Sequence, residues 1–351
     1  MVVVIHELSP VPEKLNWLAG SYFSCSLHMP SILFPKQSNT GIKTYLINKL
    51  LKFLGSAIGV ILVVFFVFLF YTDLYLYLRP IPKDFDKMIQ QHMEAAKLPG
   101  VSVLVFKDGK PVYSKQYGYT NLETQEQPTQ NSLFQVASIS KLVTGTAILK
   151  LYEQGKLHLD DDINKHLPFS VKNPSFPDTA ITFRMLLSHV SSVSDGSFFF
   201  GSPYWDMYNE IGKPTYKAEP LDSFITHYFK SDEKYYDEKD NFNDAKLGTM
   251  LEYSNVGYGL LGYLVEQVSG MPFNEFCKQE IFSPLDMKHT RWLIKNVEKE
   301  TMAIPYNYNL LSNTYVRLGA YELSTYSESG LKTSSAEFMR FLHVFWIMVK
   351  R

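Results

Sequence analysis

Leu133-Phe-Gln-Val-Ala-Ser138-Ile-Ser-Lys141 runs from an apolar approach into a stretch of helical periodicity that continues to Glu153, with Gly155 as its stop. Ser138 and Lys141 lie three positions apart, and on a helix positions i and i+3 share a face. The lysine amine therefore sits beside the serine hydroxyl. A serine hydroxyl is a weak nucleophile until a neighbouring base takes its proton. A lysine can be that base when burial disfavours its charged form. A serine in the first turn of a helix also offers its own backbone N–H to a developing oxyanion. The S-x-x-K spacing by itself is a weak signal, because it recurs at Ser231–Lys234 and Ser329–Lys332. Ser231 falls in a charged loop and Ser329 in a turn. Ser138 alone stands at a loop-to-helix junction behind Leu133, Phe134 and Val136.

A second constellation is Tyr253-Ser254-Asn255. In an extended loop, residues i and i+2 point the same way. A tyrosine hydroxyl near an ammonium group gives up its proton more readily and can act as base or shuttle. The asparagine amide can bind the lysine and a substrate carbonyl. The same Y-x-N spacing at Tyr119–Asn121 follows a strand and reads as a strand end and turn.

Further blocks accompany these two. Leu98-Pro-Gly100, Leu186-Leu-Ser-His189, Tyr253-Ser-Asn-Val-Gly-Tyr-Gly259, Pro284-Leu-Asp-Met287 and Gly330-Leu-Lys-Thr-Ser-Ser335 stand in fixed order around Phe134-Gln-Val-Ala-Ser-Ile-Ser-Lys141. In this order they resemble the serine β-lactamase-like and penicillin-binding-protein-like family, which takes in class C β-lactamases, D,D-peptidases, D-amino acid peptidases and related esterases. The resemblance covers roughly residues 85–350. It implies that Ser138 is acylated by substrate, and that Lys141 is its base. It implies that Tyr253 protonates the leaving group or activates the deacylating water. Asn255 would orient Lys141 and the substrate. No metal and no organic cofactor is implied. The substrate would be a β-lactam, a D-amino acid peptide or a simple ester. His189 reads as a packed, hydrogen-bonded histidine rather than a member of a Ser–His–Asp triad.

The family's third motif, H/K-T/S-G on a strand lining the site, has no match after Tyr253. Lys332-Thr333-Ser334 has Ser in place of Gly and reads as a helix start, and Lys107-Asp108-Gly109 is a hairpin turn. The expectation is a chain whose C-terminal strands are missing. The strands at 101–106 and 112–117 would then lack sheet partners, and a lone hairpin is marginal. The alternative function is a non-catalytic membrane protein that keeps the fold for binding or assembly.

Location rests on another stretch. No charged residue lies between Lys52 and Asp73, and the run from Phe53 to Tyr71 is almost wholly apolar. About 20 such residues span a bilayer core as a helix. The expected organisation is a tail over 1–52, a transmembrane helix over 53–72 in contact with lipid, a Pro80/Pro82 linker over 73–84, and the hydrolase domain over 85–351. Lys36, Lys43, Lys49 and Lys52 before the run, against Arg79, Lys83 and Lys87 after it, favour an inside N-terminus and a catalytic domain outside the cytoplasm. Gly55 and Gly59 form a GxxxG pair, a hint of a homo-oligomer that chance also explains. The net charge of −1 gives no reason to expect nucleic acid as a partner. Cys25 and Cys277 flank the apolar run, which argues against a disulfide between them.

The remaining pattern predicts an α/β plus all-helical fold, an antiparallel sheet flanked by helices beside a helical region carrying Tyr253. Helices are expected at 85–98, 141–153, 183–187, 258–269, 273–281 and 336–349, and 197–248 as a long inserted loop.

Overall fold

The computed structural model describes residues 2–6, 84–196, 218–294, 302–318 and 322–349. The apolar run at 53–72, its flanking linker and Cys25 lie outside them. Among the described residues no helix is long and apolar enough to cross a membrane. Contacts divide the chain into two units, Glu7–Leu98 and Met1–His6 together with Pro99–Arg351.

The described part of the first unit is helix α1, Phe85–Ala95. Asp84 caps it, its side chain accepting from Lys87 N at 3.2 Å.

In the second unit Val2–His6 forms strand β1, within the stretch 1–52 expected as a tail. Its Val-Val-Val-Ile run is β-branched and suits a pleated surface. β1 pairs in parallel with β2, Gly100–Lys107, and β2 pairs antiparallel with β3, Lys110–Gly118. The hairpin therefore has a partner strand, and the sheet order is β1-β2-β3. Asp108 and Gly109 both take positive φ, the requirement of a tight two-residue hairpin.

Strand β4, Phe134–Gln135, leads to a 3-10 turn at Ala137–Ile139 and then helix α2, Ser140–Glu153. Helix α3, Phe183–Leu187, is capped by Thr182, whose side chain accepts from Met185 N at 3.2 Å. Helix α4, Leu221–Phe229, falls inside the stretch expected to be loop. Leu221, Phe224, Ile225, Tyr228 and Phe229 are buried at helical spacing, a period that the surrounding charged and aromatic residues obscure in sequence. Helix α5, Asn255–Ser269, ends on Gly270 at φ +74°. Helix α6, Phe273–Cys277, runs into a π turn at Lys278–Phe282 instead of continuing as α-helix. Strands β5, Tyr306–Asn309, and β6, Thr314–Arg317, make a hairpin that the sequence reading did not anticipate.

The chain then forms helix α7, Tyr326–Ser329, strand β7, Lys332–Thr333, and helix α8, Ser335–Val349. Lys332 is thus a strand residue rather than a helix start, and Ser329 ends a short helix rather than occupying a turn. Residues 255–265 of α5 are all buried, as befits a helix surrounded by others. Val143, Ala147, Ile148 and Leu151 of α2 share one core with Leu260, Leu261 and Leu264 of α5, and with Phe183 and Phe224. Helix α8 closes the sheet side: His343 Nδ1 and Gly109 O are 2.8 Å apart, and the Phe106 and His343 rings meet edge to face at 6.4 Å.

Candidate active site

Ser138 sits in the 3-10 turn between β4 and α2. Ala137 just before it has φ +46°, a conformation that costs a residue with a Cβ about 1–3 kcal/mol. Two hydrogen bonds to one neighbouring residue hold the turn in place. Val136 N donates to Leu331 O at 3.0 Å, and Leu331 N donates to Ser140 Oγ at 3.0 Å. The outcome is an exposed Ser138 followed, one turn on, by a Lys141 that is only 7% exposed.

Lys141 Nζ meets four acceptors. It donates to Asn255 Oδ1 at 2.8 Å, Glu328 Oε2 at 3.0 Å, Glu328 O at 3.2 Å and Ser138 Oγ at 3.3 Å. It also lies 4.8 Å from the centroid of the Tyr253 ring and 5.7 Å from that of Tyr258. The Lys141–Glu328 ion pair is almost wholly out of water, its side chains 7% and 1% exposed. Removing one partner of such a pair strands the other charge in the interior.

Asn255 is the first residue of α5, and Asp195 fixes it there. Asp195 Oδ2 accepts from Asn255 Nδ2 at 2.8 Å and from Asn255 N at 3.0 Å, while Oδ1 accepts from Val256 N at 2.9 Å and from Ser254 Oγ at 3.0 Å. A carboxylate at a helix N-terminus satisfies free N–H groups and the helix dipole together. With its amide nitrogen committed to Asp195, Asn255 can offer Lys141 only its oxygen. Ser254 completes the cap by accepting from Gly257 N at 2.9 Å.

Tyr253 is 49% exposed, and its ring rests on His189 with centroids 4.5 Å apart. His189 stands at φ +56° and accepts from Ser254 N through Nδ1 at 3.1 Å, which assigns its proton to Nε2. Burial, then the charge of Lys141, push the His189 pKa down against the pull of Asp195, so the ring is neutral at neutral pH. The packed, hydrogen-bonded histidine read from sequence is what the structure contains. Tyr258 lies on the same imidazole at 4.9 Å and donates to Leu187 O at 3.0 Å. Burial, then the neighbouring Tyr253, push its pKa up to about 12, so it stays a phenol.

Glu328 reaches Lys141 because α7 comes very close to α5. An added Cβ at Gly262 would lie 2.4 Å from Ser327 Oγ, and one at Gly259 would lie 2.7 Å from Thr325 Cγ2. Two further bonds hold this contact, Ser327 Oγ to Tyr258 O at 3.1 Å and Thr144 Oγ1 to Ser327 O at 2.6 Å.

The structure thus gathers Ser138, Lys141, Tyr253 and Asn255 at one place. It adds Asp195 and Glu328, which sequence reasoning missed. Asp195 lies six residues beyond the Leu186–His189 block, and Glu328 two residues before the Gly330–Ser335 block. A carboxylate among small residues was the available signal in both.

The competing motifs are elsewhere. Lys234 of Ser231–Lys234 donates to Tyr235 OH at 2.7 Å. Lys332 of Ser329–Lys332 is fully buried and donates to Trp292 O at 2.8 Å. Asn121 accepts from Glu123 N at 2.9 Å and Thr124 N at 3.2 Å, in a turn. Among the described residues no group of His, Cys, Asp and Glu side chains could hold a metal ion.

The family model described as Beta-lactamase matches residues 85–349. Penicillin-binding protein 4* of Bacillus subtilis (strain 168) is 31% identical over 229 residues, covering 64% of this chain and 46% of that protein. Protein flp of Staphylococcus aureus (strain N315) is 30% identical over 224 residues, covering 64% and 41%. The chain therefore spans under half the length of these curated relatives. The octameric penicillin-binding protein homologue from Pyrococcus abyssi superposes with a TM-score of 0.63 at 28% identity, over 74% of this chain and 55% of that one. The β-lactamase-like α/β architecture expected from sequence is the one these matches share.

Proposed function

The chain belongs to the Beta-lactamase family of serine β-lactamase and penicillin-binding-protein-like hydrolases, and from that premise we propose that it cleaves an amide or ester through an acyl-enzyme on Ser138. The observation that carries this reading is Lys141 Nζ, buried, held by Asn255 and 3.3 Å from an exposed Ser138 Oγ. Lys141 takes the hydroxyl proton as Oγ bonds to the substrate carbonyl. The developing oxyanion faces the Ser138 backbone N–H. The half-exposed Tyr253 passes a proton to the departing amine or alcohol, and then activates the water that releases the acyl group. Asn255 keeps Lys141 aimed at Ser138 through Oδ1, and the second N–H of its Nδ2, the first being held by Asp195, is left for the substrate carbonyl.

The substrate class is a carbonyl compound with a good or strained leaving group: a β-lactam, a D-amino acid peptide or a simple ester. The name of the Bacillus relative supports a penicillin as one acylating ligand. Two assays test the reading, hydrolysis of p-nitrophenyl acetate and covalent labelling by a fluorescent penicillin. Ser138→Ala should abolish both. Unchanged hydrolysis by that variant rules the proposal out. The competing reading is binding without turnover, favoured by Lys332 bonding to Trp292 O instead of standing in a third motif. Steady hydrolysis by the 351-residue chain eliminates it.

The charge-free run between Lys52 and Asp73 supports a membrane-anchored enzyme with its domain outside the cytoplasm. A single crossing there would put Val2–His6 and Gly100–Lys107 on opposite faces of the bilayer. Anchoring and the β1–β2 ladder therefore exclude one another. Protease access to the N-terminus in sealed vesicles decides between them. The octameric Pyrococcus homologue supports self-association, which light scattering of the purified chain measures.

A further inference from the structure

Three partners of Lys141 Nζ are oxygens that only accept, Asn255 Oδ1, Glu328 O and the Glu328 carboxylate Oε2, and the fourth is the Ser138 hydroxyl. A lysine that donates all three of its protons is an ammonium and has no lone pair to receive another. It cannot act as the base for Ser138 until one proton leaves. An amide oxygen and a backbone carbonyl are too weakly basic to hold that proton, and Ser138 is the group to be deprotonated. Glu328 Oε2 is the one basic atom in contact with Nζ. The other titratable groups facing Lys141 are the rings of Tyr253 and Tyr258, His189 and, across Asn255, Asp195, and none of them bonds to Nζ.

We propose that the Glu328 carboxylate takes and holds the proton that Lys141 must surrender before it can accept one from Ser138. The inference rests on the acyl-enzyme reading above. Glu328 acts through Lys141 and is in that sense a positioning residue. At rest the pair is ammonium and carboxylate. A proton crosses 3.0 Å from Nζ to Oε2, leaving an amine and a carboxylic acid buried side by side. The amine then accepts the Ser138 proton as the Oγ–acyl bond forms. When the bond to the leaving group breaks, the ammonium returns that proton by way of Tyr253. Glu328 gives its own back to Lys141. The pair ends as it began, and the only net transfer is the serine proton to the leaving group. Because the exchange is internal, the step needs no proton from or to solvent.

The test is the second-order rate at which a fluorophosphonate probe labels Ser138 in the 351-residue chain, followed between about pH 6 and 9. The native chain should label at a rate nearly independent of pH. Glu328→Gln keeps the shape but removes the proton acceptor, so Lys141 must lose its proton to solvent. Its labelling should be about 10²-fold or more slower at pH 7 and should climb about tenfold per pH unit, the slope of one ionisation. Glu328→Asp should restore a flat profile. A purely structural Glu328 would lower the rate without changing its pH dependence, and a Glu328→Gln profile parallel to the native one overturns the proposal. Should Glu328→Gln fail to fold, the native chain in mixtures of light and heavy water decides. Two moving protons give a curved dependence on deuterium fraction, and a straight line overturns the proposal. Native labelling that is strong at Ser138 but insensitive to Glu328→Gln leaves the acyl-enzyme reading standing, whereas no labelling of Ser138 defeats both.

Discussion

Lys141 and Lys332 are the two buried lysines among the described residues, 7% and 0% exposed, and they are buried in opposite ways. Lys141 lies against a carboxylate, an amide oxygen and the serine. Lys332 has the Trp292 carbonyl as its hydrogen-bond acceptor, and the Glu322 carboxylate acts on it only from a distance. Desolvation dominates at Lys332 and pushes its pKa down from 10.5 to about 8. Burial alone does not bring a lysine to a candidate nucleophile. Around Lys332 burial is a cost with no reacting group beside it. Around Lys141 the same cost is offset by an ion pair that also presents the amine to Ser138.

The same substitution should therefore act with opposite sign at the two positions. Lys141→Met strands the Glu328 carboxylate, and should destabilise the fold by about 3–5 kcal/mol. It should also lower kcat/KM by about 10²–10⁴ as general-base catalysis is lost. Urea unfolding and ester hydrolysis read the two effects. Asp195→Ala removes four hydrogen bonds from the α5 N-terminus. It should cost about 2–3 kcal/mol and free the Asn255 amide to rotate, lowering kcat more than it raises KM. Gly262→Ala puts a methyl into Ser327 and pushes α7 from α5. A loss of about 1–3 kcal/mol is expected, with slower labelling of Ser138 as Glu328 withdraws from Lys141.

Lys332→Met should instead stabilise by about 1–2 kcal/mol at pH 7, since it removes an unpaired buried charge at the expense of one hydrogen bond. The sign with pH follows from the depressed value. Below about pH 8 both folded and unfolded states bind the Lys332 proton, and the folded state bears the full cost, about 3 kcal/mol. Between about pH 8 and 10.5 the unfolded chain binds more protons, so stability should rise with pH. A Lys332→Met protein should lack that rise, which melting curves across the window will show. The smallest stability effect is expected at Tyr253→Phe, within about 0.5 kcal/mol because the side chain is half exposed. Its product release should nevertheless slow, separating the tyrosine from the packed groups around it.

Much of this was legible in sequence because it is local. The Ser138–Lys141 spacing, the Asp108-Gly109 turn and the short helix at 183–187 each depend on a few adjacent residues, and each stands where the pattern put it. What was not legible depends on distant segments. Glu328 is 187 residues from Lys141. It meets Lys141 only because Gly259 and Gly262 let two helices approach. Asp195 lies 60 residues before the asparagine it orients. Helix α4 was hidden because charged and aromatic neighbours blur its period, and β1 because its paired residues lie a hundred positions away. The family blocks located the lysine and its serine, but not the carboxylate that accompanies them.

This network should make Ser138 the one serine of the chain that reacts as a nucleophile. Peptide mapping by mass spectrometry after brief exposure to a fluorophosphonate reads this out. A single adduct on Ser138 is expected in the native chain and none in Lys141→Met at the same exposure. An adduct on another residue, or equal labelling of Ser138 without Lys141, would contradict it.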